Sequence, residues 1–592
     1  MLYKLRQYIK QSVILIAIII CASLTHVSAE EQMIGVDELK TGMRGFAKTV
    51  VQGTTIETFD VEVLSIMKNQ GPAGDLILVR VSGDVIDRTE GIASGMSGSP
   101  VYIDGKLAGA VAYGWPMTDR RICMVTPIQG MLKLWETPNE QKPQSVQQVD
   151  LEPVTTPLMV SGLGPRALDK LAEYLEPFGL TPMASGSYNS TNKANHELEP
   201  GSAIGVQLMR GDLDMTAIGT LTYRDGDKII GFGHPFLRRG NTNYLMTSAY
   251  IHQTVPGLDN SFKLGTSMDL VGTVDQDRGA GIGGKIGVYP HTIPLRIHVT
   301  DKDTGREKEL FVQAVQDEQL SPALLTTAAM QAIEQTLDRT GLGTSWVKIN
   351  ILGKDLPGDN LIRENMYFHP TDVGAGSVGE LLEGLALVLN NPFTPVEIID
   401  IKLDIEIEKV IKVANIETAK VMKPSAKPGE TIPIDVTLRP YRGTTITETI
   451  NFTVPKDQAP GSIAVGIRGG GSMPQLQKLL AQFGGQELQT QKPENLEQFL
   501  KDFIQRDRNN EIIAEIMPLG LAGDPAAMLG GELAVTGNTK SGAVPKNNPV
   551  SAALLSDPTK QVKMATNYII DGSSEVVIQV LSPLTDEPRK KK

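Results

Sequence analysis

The segment GSPVYIDGKLAGAVAYG, residues 98–114, is the feature that most constrains the fold of this chain. Two strand-like runs flank the dipeptide Asp104-Gly105, which favours the positive φ angles of a two-residue hairpin turn. The segment therefore predicts an antiparallel hairpin. The whole chain has a similar character, because Gly (59) and Pro (36) are frequent and runs of Val, Ile and Thr recur. We therefore expect a mainly β protein with many turns.

The loop before this hairpin, GMSGSP at 95–100, has the features that a serine nucleophile needs. Gly95 permits backbone angles that direct its own N–H and that of Ser97 into one pocket, where an oxyanion could be stabilised. Gly98 leaves room for a substrate carbonyl. We interpret Ser97 as a candidate nucleophile, with the N–H groups of Gly95 and Ser97 as the oxyanion hole. A tight turn without chemistry remains the alternative, because such turns are common.

The general base must come from a histidine that follows Ser97. After the first 29 residues the chain has six histidines, at positions 196, 234, 252, 291, 298 and 369. His234 differs from the rest because it ends a predicted hairpin, GTLTYRDGDKIIGFGHPF (219–236), in which glycines let other backbone approach closely. None of the histidines has the spacing of a metal site, so we expect neither a metal nor another cofactor. Ser94 and Ser99, the other serines of the loop, are interpreted as turn-stabilising hydroxyls.

The first 29 residues have the composition of a secretory signal. Three positive charges precede the uncharged apolar run Ser12–Leu24, and Val27-Ser28-Ala29 is a small-residue cleavage site. The apolar run is short for a bilayer span, and no later run is long enough for one. We therefore expect cleavage after residue 29 and export to the cell envelope, the periplasm or the medium; an uncleaved anchor is the alternative.

Charge and cysteine content narrow the class of protein further. Removal of the three positive charges would change the formal net charge from −12 to −15, and this acidic balance argues against nucleic acid as a partner. Only Cys123 would remain, so we expect no internal disulfide. An exported chain of this composition must obtain its stability from packing.

The pattern of strands, helices and linkers predicts several modules. We expect a double β-barrel followed by β-sandwich or immunoglobulin-like modules with a few helices, because a Pro-Gly-Glu turn and alternating strands lie near residue 430. The predicted boundaries are a signal peptide (1–29), a Ser-bearing half-domain (30–140), a connector with a helix (141–200), a His-bearing half-domain (201–300), a helical connector (301–344), a β-rich module (345–410), an immunoglobulin-like sandwich (411–470) and a mixed C-terminal region (471–592).

Two segments together resemble the SpoIVB peptidases, chymotrypsin-like serine peptidases of sporulation signalling. The segment RTEGIASGMSGSPVYIDGKLAGAVAYGW looks like the Ser motif of that family, and the segment GTLTYRDGDKIIGFGHPF looks like its His motif. The resemblance extends over about residues 33–300 and implies a chymotrypsin-like double barrel, with Ser97 as nucleophile and His234 as general base.

The chain departs from the family pattern in two ways. The family has its His segment before its Ser segment, and here the order is reversed, which a circular permutation of the two barrels would explain. The family also has an aspartate ahead of the Ser loop, where a gap-free count gives Ser82. Asp84 is the nearest carboxylate, so we predict it as the third member of the triad; Asp84 and Asp87 as plain loop residues are the alternative.

Two functions follow from these observations. The first is an exported serine endopeptidase that cleaves itself or an envelope or secreted protein through an acyl-enzyme, with a protein or peptide as its partner. The second is an inactive peptidase-like protein that binds partners or acts as an envelope scaffold. The reversed segment order and the aspartate missing from the expected position favour the second, and the intact Ser and His motifs favour the first.

Overall fold

The fold is mainly β, as the sequence predicts. The computed structural model describes residues 31–72, 74–136, 151–154, 157–186, 197–257, 260–337, 339–471, 493–517 and 561–582. Contacts divide the chain into two units. The first unit comprises Met1–Met159, Ser185–Gln207 and Thr216–Pro290, and the second comprises Val160–Ala184, Leu208–Met215 and His291–Lys592.

Several sequence predictions lie outside the described residues. They are the signal peptide (1–29), His196, and parts of the connector (141–200) and of the mixed C-terminal region (471–592). Within the described ranges, no helix has both the length and the apolar composition needed to cross a membrane.

The first unit begins with a closed six-stranded barrel that carries the predicted hairpin. Its strands pair in the order β1-β2-β3-β6-β5-β4, and β4 pairs with β1 to close the ring. Apolar side chains on alternate positions, such as Val79 and Val111, fill its interior. The elements are β1 (Arg44–Val50), β2 (Ile56–Gly71), β3 (Gly74–Ser82), α1 (Asp84–Arg88), β4 (Pro100–Ile103), β5 (Lys106–Gly114), β6 (Ile122–Pro127), α2 (Ile128–Leu132) and β7 (Glu152–Pro153), which pairs with the end of β5.

A second ring of six strands follows, so the double barrel predicted from the sequence is confirmed. Its order is β10-β13-β14-β15-β12-β11, and a pairing between β10 and β11 closes it. The strands of the ring are preceded in the chain by β8 (Leu158–Ser161), α3 (Pro165–Leu175) and β9 (Pro182–Ala184). The ring itself consists of β10 (Ala203–Gly211), β11 (Asp214–Asp225), β12 (Lys228–Gly231), β13 (Gly240–Val255), β14 (Phe262–Arg278) and β15 (Gly281–Ile286).

The second unit contains a mixed sheet with helices. Its strands have the order β19-β18-β20-β16-β17, and β16 runs parallel to β20. The helical connector predicted at 301–344 contains the helix α4, which is buried over almost its whole length. The elements are β16 (Thr292–Asp301), β17 (Arg306–Val315), α4 (Ser321–Leu337), β18 (Gly343–Lys354), β19 (Asn360–His369), α5 (Val373–Ser377), α6 (Gly379–Leu389) and β20 (Glu397–Glu408).

A β-sandwich completes the second unit. A four-stranded sheet, β24-β23-β21-β28, and a five-stranded sheet, β22-β29-β25-β26-β27, share one apolar core. The sequence predicts this module at 411–470, and the structure adds strands from beyond residue 510. The elements are β21 (Val413–Val421), β22 (Ser425–Ala426), β23 (Thr431–Pro440), β24 (Ile446–Thr453), β25 (Gly461–Gly469), α7 (Leu496–Gln505), β26 (Glu511–Met517), β27 (Gln561–Ala565), β28 (Ile569–Asp571) and β29 (Ser573–Val580).

Candidate active site

The Ser97 loop leaves two backbone donors free. Among the described residues, neither the Gly95 N–H nor the Ser97 N–H has a hydrogen-bond acceptor. The other N–H groups of the loop are occupied, since Ser94 donates to Ser261 O, Met96 to Ala93 O, Gly98 to Val111 O and Ser99 to Met96 O. Buried N–H groups without a partner are rare in proteins. A pair of them beside a serine hydroxyl is the arrangement that stabilises an oxyanion.

Glycine is required at two positions of this loop. Gly95 and Gly98 have φ angles of +92° and +90°, which L side chains seldom adopt. A Cβ on Gly98 would also lie 2.0 Å from Thr220 O and 2.5 Å from Phe232 N. The Ser97 loop is therefore packed directly against the backbone of the second barrel.

The segment before His234 turns sharply into the same region. After β12, Phe232 and Gly233 both have positive φ angles, +67° and +70°, and His234 is 3% exposed. A Cβ on Gly233 would lie 3.0 Å from Val111 O, the carbonyl that accepts the hydrogen bond of Gly98. The fold thus brings the Ser97 and His234 segments together although 137 positions separate them in sequence.

The imidazole of His234 is set up as a proton acceptor. Its Nδ1 lies 2.8 Å from Pro235 O, so the tautomer that satisfies this contact has the proton on Nδ1 and leaves Nε2 free. Among the residues that the structure describes, neither Nε2 of His234 nor Oγ of Ser97, both buried, has a hydrogen-bond partner, and no bond joins the two atoms. Burial lowers the pKa of His234 to about 4, so the ring is neutral at neutral pH.

The structure does not bring Asp84 to His234. Asp84 is the first residue of α1, its side chain is 85% exposed, and it pairs with Arg88 at 2.9 Å. Asp87, the other candidate, pairs with Arg121 and is also exposed. Both carboxylates lie at the solvent side of a short helix, where they cannot orient a buried imidazole.

Asp277 is a residue whose role the sequence does not reveal. It is fully buried in β14 and accepts hydrogen bonds from the N–H groups of Phe236, Leu237 and Arg239 at 2.7, 2.7 and 3.3 Å. Burial raises the pKa of this carboxyl, and the N–H donors oppose that effect. Asp277 therefore fixes the backbone that follows His234. Nothing in the sequence pattern around Asp277 distinguishes it from a surface aspartate.

A short strand of the first unit lies beside the histidine. In β7, Pro153 pairs with Tyr113 and Glu152 with Gly114, and the next residue, Val154, donates its N–H to Ala112 O at 2.9 Å. The carbonyl of Val154 faces the His234 ring without completing a hydrogen bond to Nε2. The edge of β5 next to the candidate base is therefore occupied by the chain itself.

The remaining candidates have structural partners. The Ser94 hydroxyl donates to Asn260 Oδ1 at 3.0 Å and the Ser99 hydroxyl to Met96 O at 2.6 Å, which agrees with a turn-stabilising role. In the part of the chain that the structure describes, no three His, Cys, Asp or Glu side chains cluster as metal ligands would.

Comparison with known proteins addresses the first barrel. Residues 22–119 match the family described as SpoIVB peptidase S55, and this range contains the Ser97 loop and the whole of its hairpin. No curated protein and no solved structure matches the chain. The match ends before His234, so the order of the two motifs is untested by it. Over residues 22–119 the chain is therefore similar to the SpoIVB peptidases, and the match supports the resemblance predicted from the sequence.

Proposed function

We propose that this chain is an exported serine endopeptidase. The observation that carries the proposal is the pair of free N–H groups on Gly95 and Ser97, the only loop amides without an acceptor among the described residues. Ser97 Oγ attacks the scissile carbonyl and gives its proton to His234 Nε2. The two N–H groups stabilise the oxyanion, the proton passes to the leaving amine, and water then hydrolyses the acyl ester.

Two features describe a resting state of this centre. Ser97 is fully buried and β7 lies beside His234, so a protein substrate has to displace part of the chain before it reaches the hydroxyl. The desolvated imidazole is also a weak base, whereas general bases work best with a pKa near the working pH. If polar groups entered the site, the desolvation of the imidazole would decrease and the pKa of His234 would rise towards its usual value.

The carbonyl of Pro235 replaces part of what a triad aspartate does. It fixes the Nδ1–H tautomer, but a neutral carbonyl stabilises an imidazolium less than a carboxylate does. This difference favours the second candidate function, an inactive peptidase-like protein that binds partners in the envelope. The free oxyanion donors favour activity, because a binding protein has no need for them.

Labelling with a fluorophosphonate probe tests the proposal. We expect the wild type to be labelled and Ser97→Ala and His234→Ala to lose labelling. Ser94→Ala is the matched control, because it removes a hydroxyl of the same loop that is bonded to Asn260, and it should be labelled like the wild type. Labelling that persists in Ser97→Ala would contradict the assignment, and absence of labelling in a folded wild type would favour the binding protein.

Export is a separate part of the proposal. It is supported by the composition of residues 1–29 alone. We expect the mature protein to begin at residue 30, and mass spectrometry of its N-terminal peptide measures this. An N-terminus that retains the apolar run would instead indicate an anchored protein.

A further inference from the structure

A lysine buried beside the Ser97 loop has no charged partner. Lys263, in β14, is 1% exposed, and its Nζ donates to Thr49 Oγ1 at 2.9 Å and to Thr220 Oγ1 at 3.1 Å. No carboxylate of the described residues is paired with it. An ammonium group has three donors and finds two acceptors here, whereas a neutral amine has two N–H groups and fits the site. The environment therefore selects the neutral amine.

Lys263 contacts Gly95 through its main chain and through its side chain. The N–H of Lys263 donates to Ser94 O at 2.9 Å, which fixes the peptide group between Ser94 and Gly95. The aliphatic stem of Lys263 lies against Gly95, since a Cβ there would be 3.1 Å from its Cδ. The partner of the amine, Thr220, donates its hydroxyl proton to Gly95 O at 3.0 Å, which fixes the next peptide group.

These contacts determine where the Gly95 N–H points. A trans peptide group is planar, and its C=O and N–H point in opposite directions. Because Ser94 O is directed at the backbone of Lys263, the Gly95 N–H is directed away from β14. That N–H is one of the two free donors beside Ser97.

We propose that Lys263 is a positioning residue of the Ser97 centre. Through its own N–H and through Thr220 it holds both peptide groups of Gly95 and so presents the Gly95 N–H to the oxyanion. This role rests on the proposed peptidase function, but the contacts that define it do not depend on activity.

The ionisation of the amine couples this role to pH. The groups bonded to Nζ are the hydroxyls of Thr49 from β1 and Thr220 from β11, and the Gly95 backbone lies against the aliphatic stem; none of them titrates near neutral pH. Burial lowers the pKa of Lys263 to about 7. Below that pH the added proton has no acceptor, so the contacts that hold Gly95 should loosen as the pH falls.

The rate of fluorophosphonate labelling tests the role through Lys263→Met and Thr220→Val. Removal of one oxyanion donor slows catalysis by about 100- to 1000-fold, so a donor that is present but misaligned should slow labelling by about 10- to 100-fold in either variant. Thr327→Val is the matched control: its buried hydroxyl donates to Ala323 O within α4, a helix of the second unit, and the rate should stay within about twofold of the wild type.

The pH profile separates positioning from simple support of the fold. In the wild type, labelling should decline as the pH falls through about 7, in step with protonation of Lys263. In Lys263→Met the decline near pH 7 should be absent, and the rate, lower throughout, should fall only at the lower pH at which His234 is protonated. Equal rates in wild type and both variants, or the same decline in Lys263→Met, would overturn the proposal.

A measurement without activity keeps the two proposals distinguishable. In protein labelled with ¹⁵N-glycine and ¹⁵N-lysine, we expect the Gly95 amide resonance to shift in Lys263→Met and Thr220→Val and to stay in place in Thr327→Val. If the wild type takes no label, the peptidase function fails and this measurement decides the role of Lys263. An unchanged Gly95 resonance in both variants would overturn the positioning role of Lys263. If Lys263→Met does not fold, the resonance in Thr220→Val alone decides this role.

Discussion

Acidification should destabilise the first unit through His234. The histidine is buried and neutral, and its pKa falls from 6.5 to about 4 on folding. The unfolded chain therefore binds more protons between these two values. Stability contributed by the neutral ring is fully present above pH 6.5 and is lost as the pH falls through 4.

The size of this effect follows from the difference between the two pKa values. One pKa unit corresponds to about 1.36 kcal/mol, so the full shift corresponds to roughly 3.4 kcal/mol. A change from pH 7 to about pH 4.5 should lower the free energy of unfolding by about 2.4 kcal/mol. For a unit of 150–250 residues this equals a fall of about 5–10 °C in the midpoint of thermal unfolding.

The assay compares thermal unfolding of the wild type and His234→Gln at both pH values. The first unit's transition is followed separately, because a chain of several domains does not unfold in one step. The acid-induced fall in midpoint should be about 5–10 °C smaller in His234→Gln. His291→Gln is the control, since that side chain is 81% exposed and should leave the fall unchanged. Equal falls in wild type and His234→Gln would refute a buried neutral His234.

Two further predictions concern the same centre. Val154→Asp should weaken the contact of β7 with the barrel core and speed labelling of Ser97, measured as the second-order rate; a slower rate would show that β7 supports the centre. Gly98→Ala should abolish labelling and lower the unfolding midpoint, because the new Cβ would lie 2.0 Å from a carbonyl oxygen. Gly105→Ala is the comparison: Gly105 has a φ of +77° and no atom within 4 Å of the new Cβ, so the free energy of unfolding should fall by only about 1–2 kcal/mol. Similar midpoints in the two glycine variants would contradict the packing described for the loop.

Local sequence patterns predict the hairpin and the helices well. Asp104 and Gly105 have φ angles of 49° and 77° between β4 and β5, as an Asp-Gly turn requires. The helix α4 lies within the predicted helical connector and has a proline in its first turn. Such features depend on neighbouring residues, and the sequence displays those neighbours directly.

The contacts that complete the site depend on distant residues. Lys263 comes within reach of Gly95 only because β14 crosses behind the Ser97 loop, and a lone lysine in a strand usually marks a solvated face. Its position along the chain relative to the Ser loop predicts Asp84 as the triad acid, but a short helix begins at this residue and directs the carboxylate to solvent. Sequence separation does not determine which carboxylate faces an imidazole.

In the proposed peptidase, a substrate strand that pairs with the edge of β5 would compete with β7, which occupies that edge. Because β7 belongs to the same chain, its pairing with β5 is intramolecular, and a free peptide has to overcome it by concentration or by affinity. Weak peptides would then remain unbound at ordinary concentrations. Selectivity at this centre would arise from competition with residues 152–154, before any side chain of the substrate is recognised.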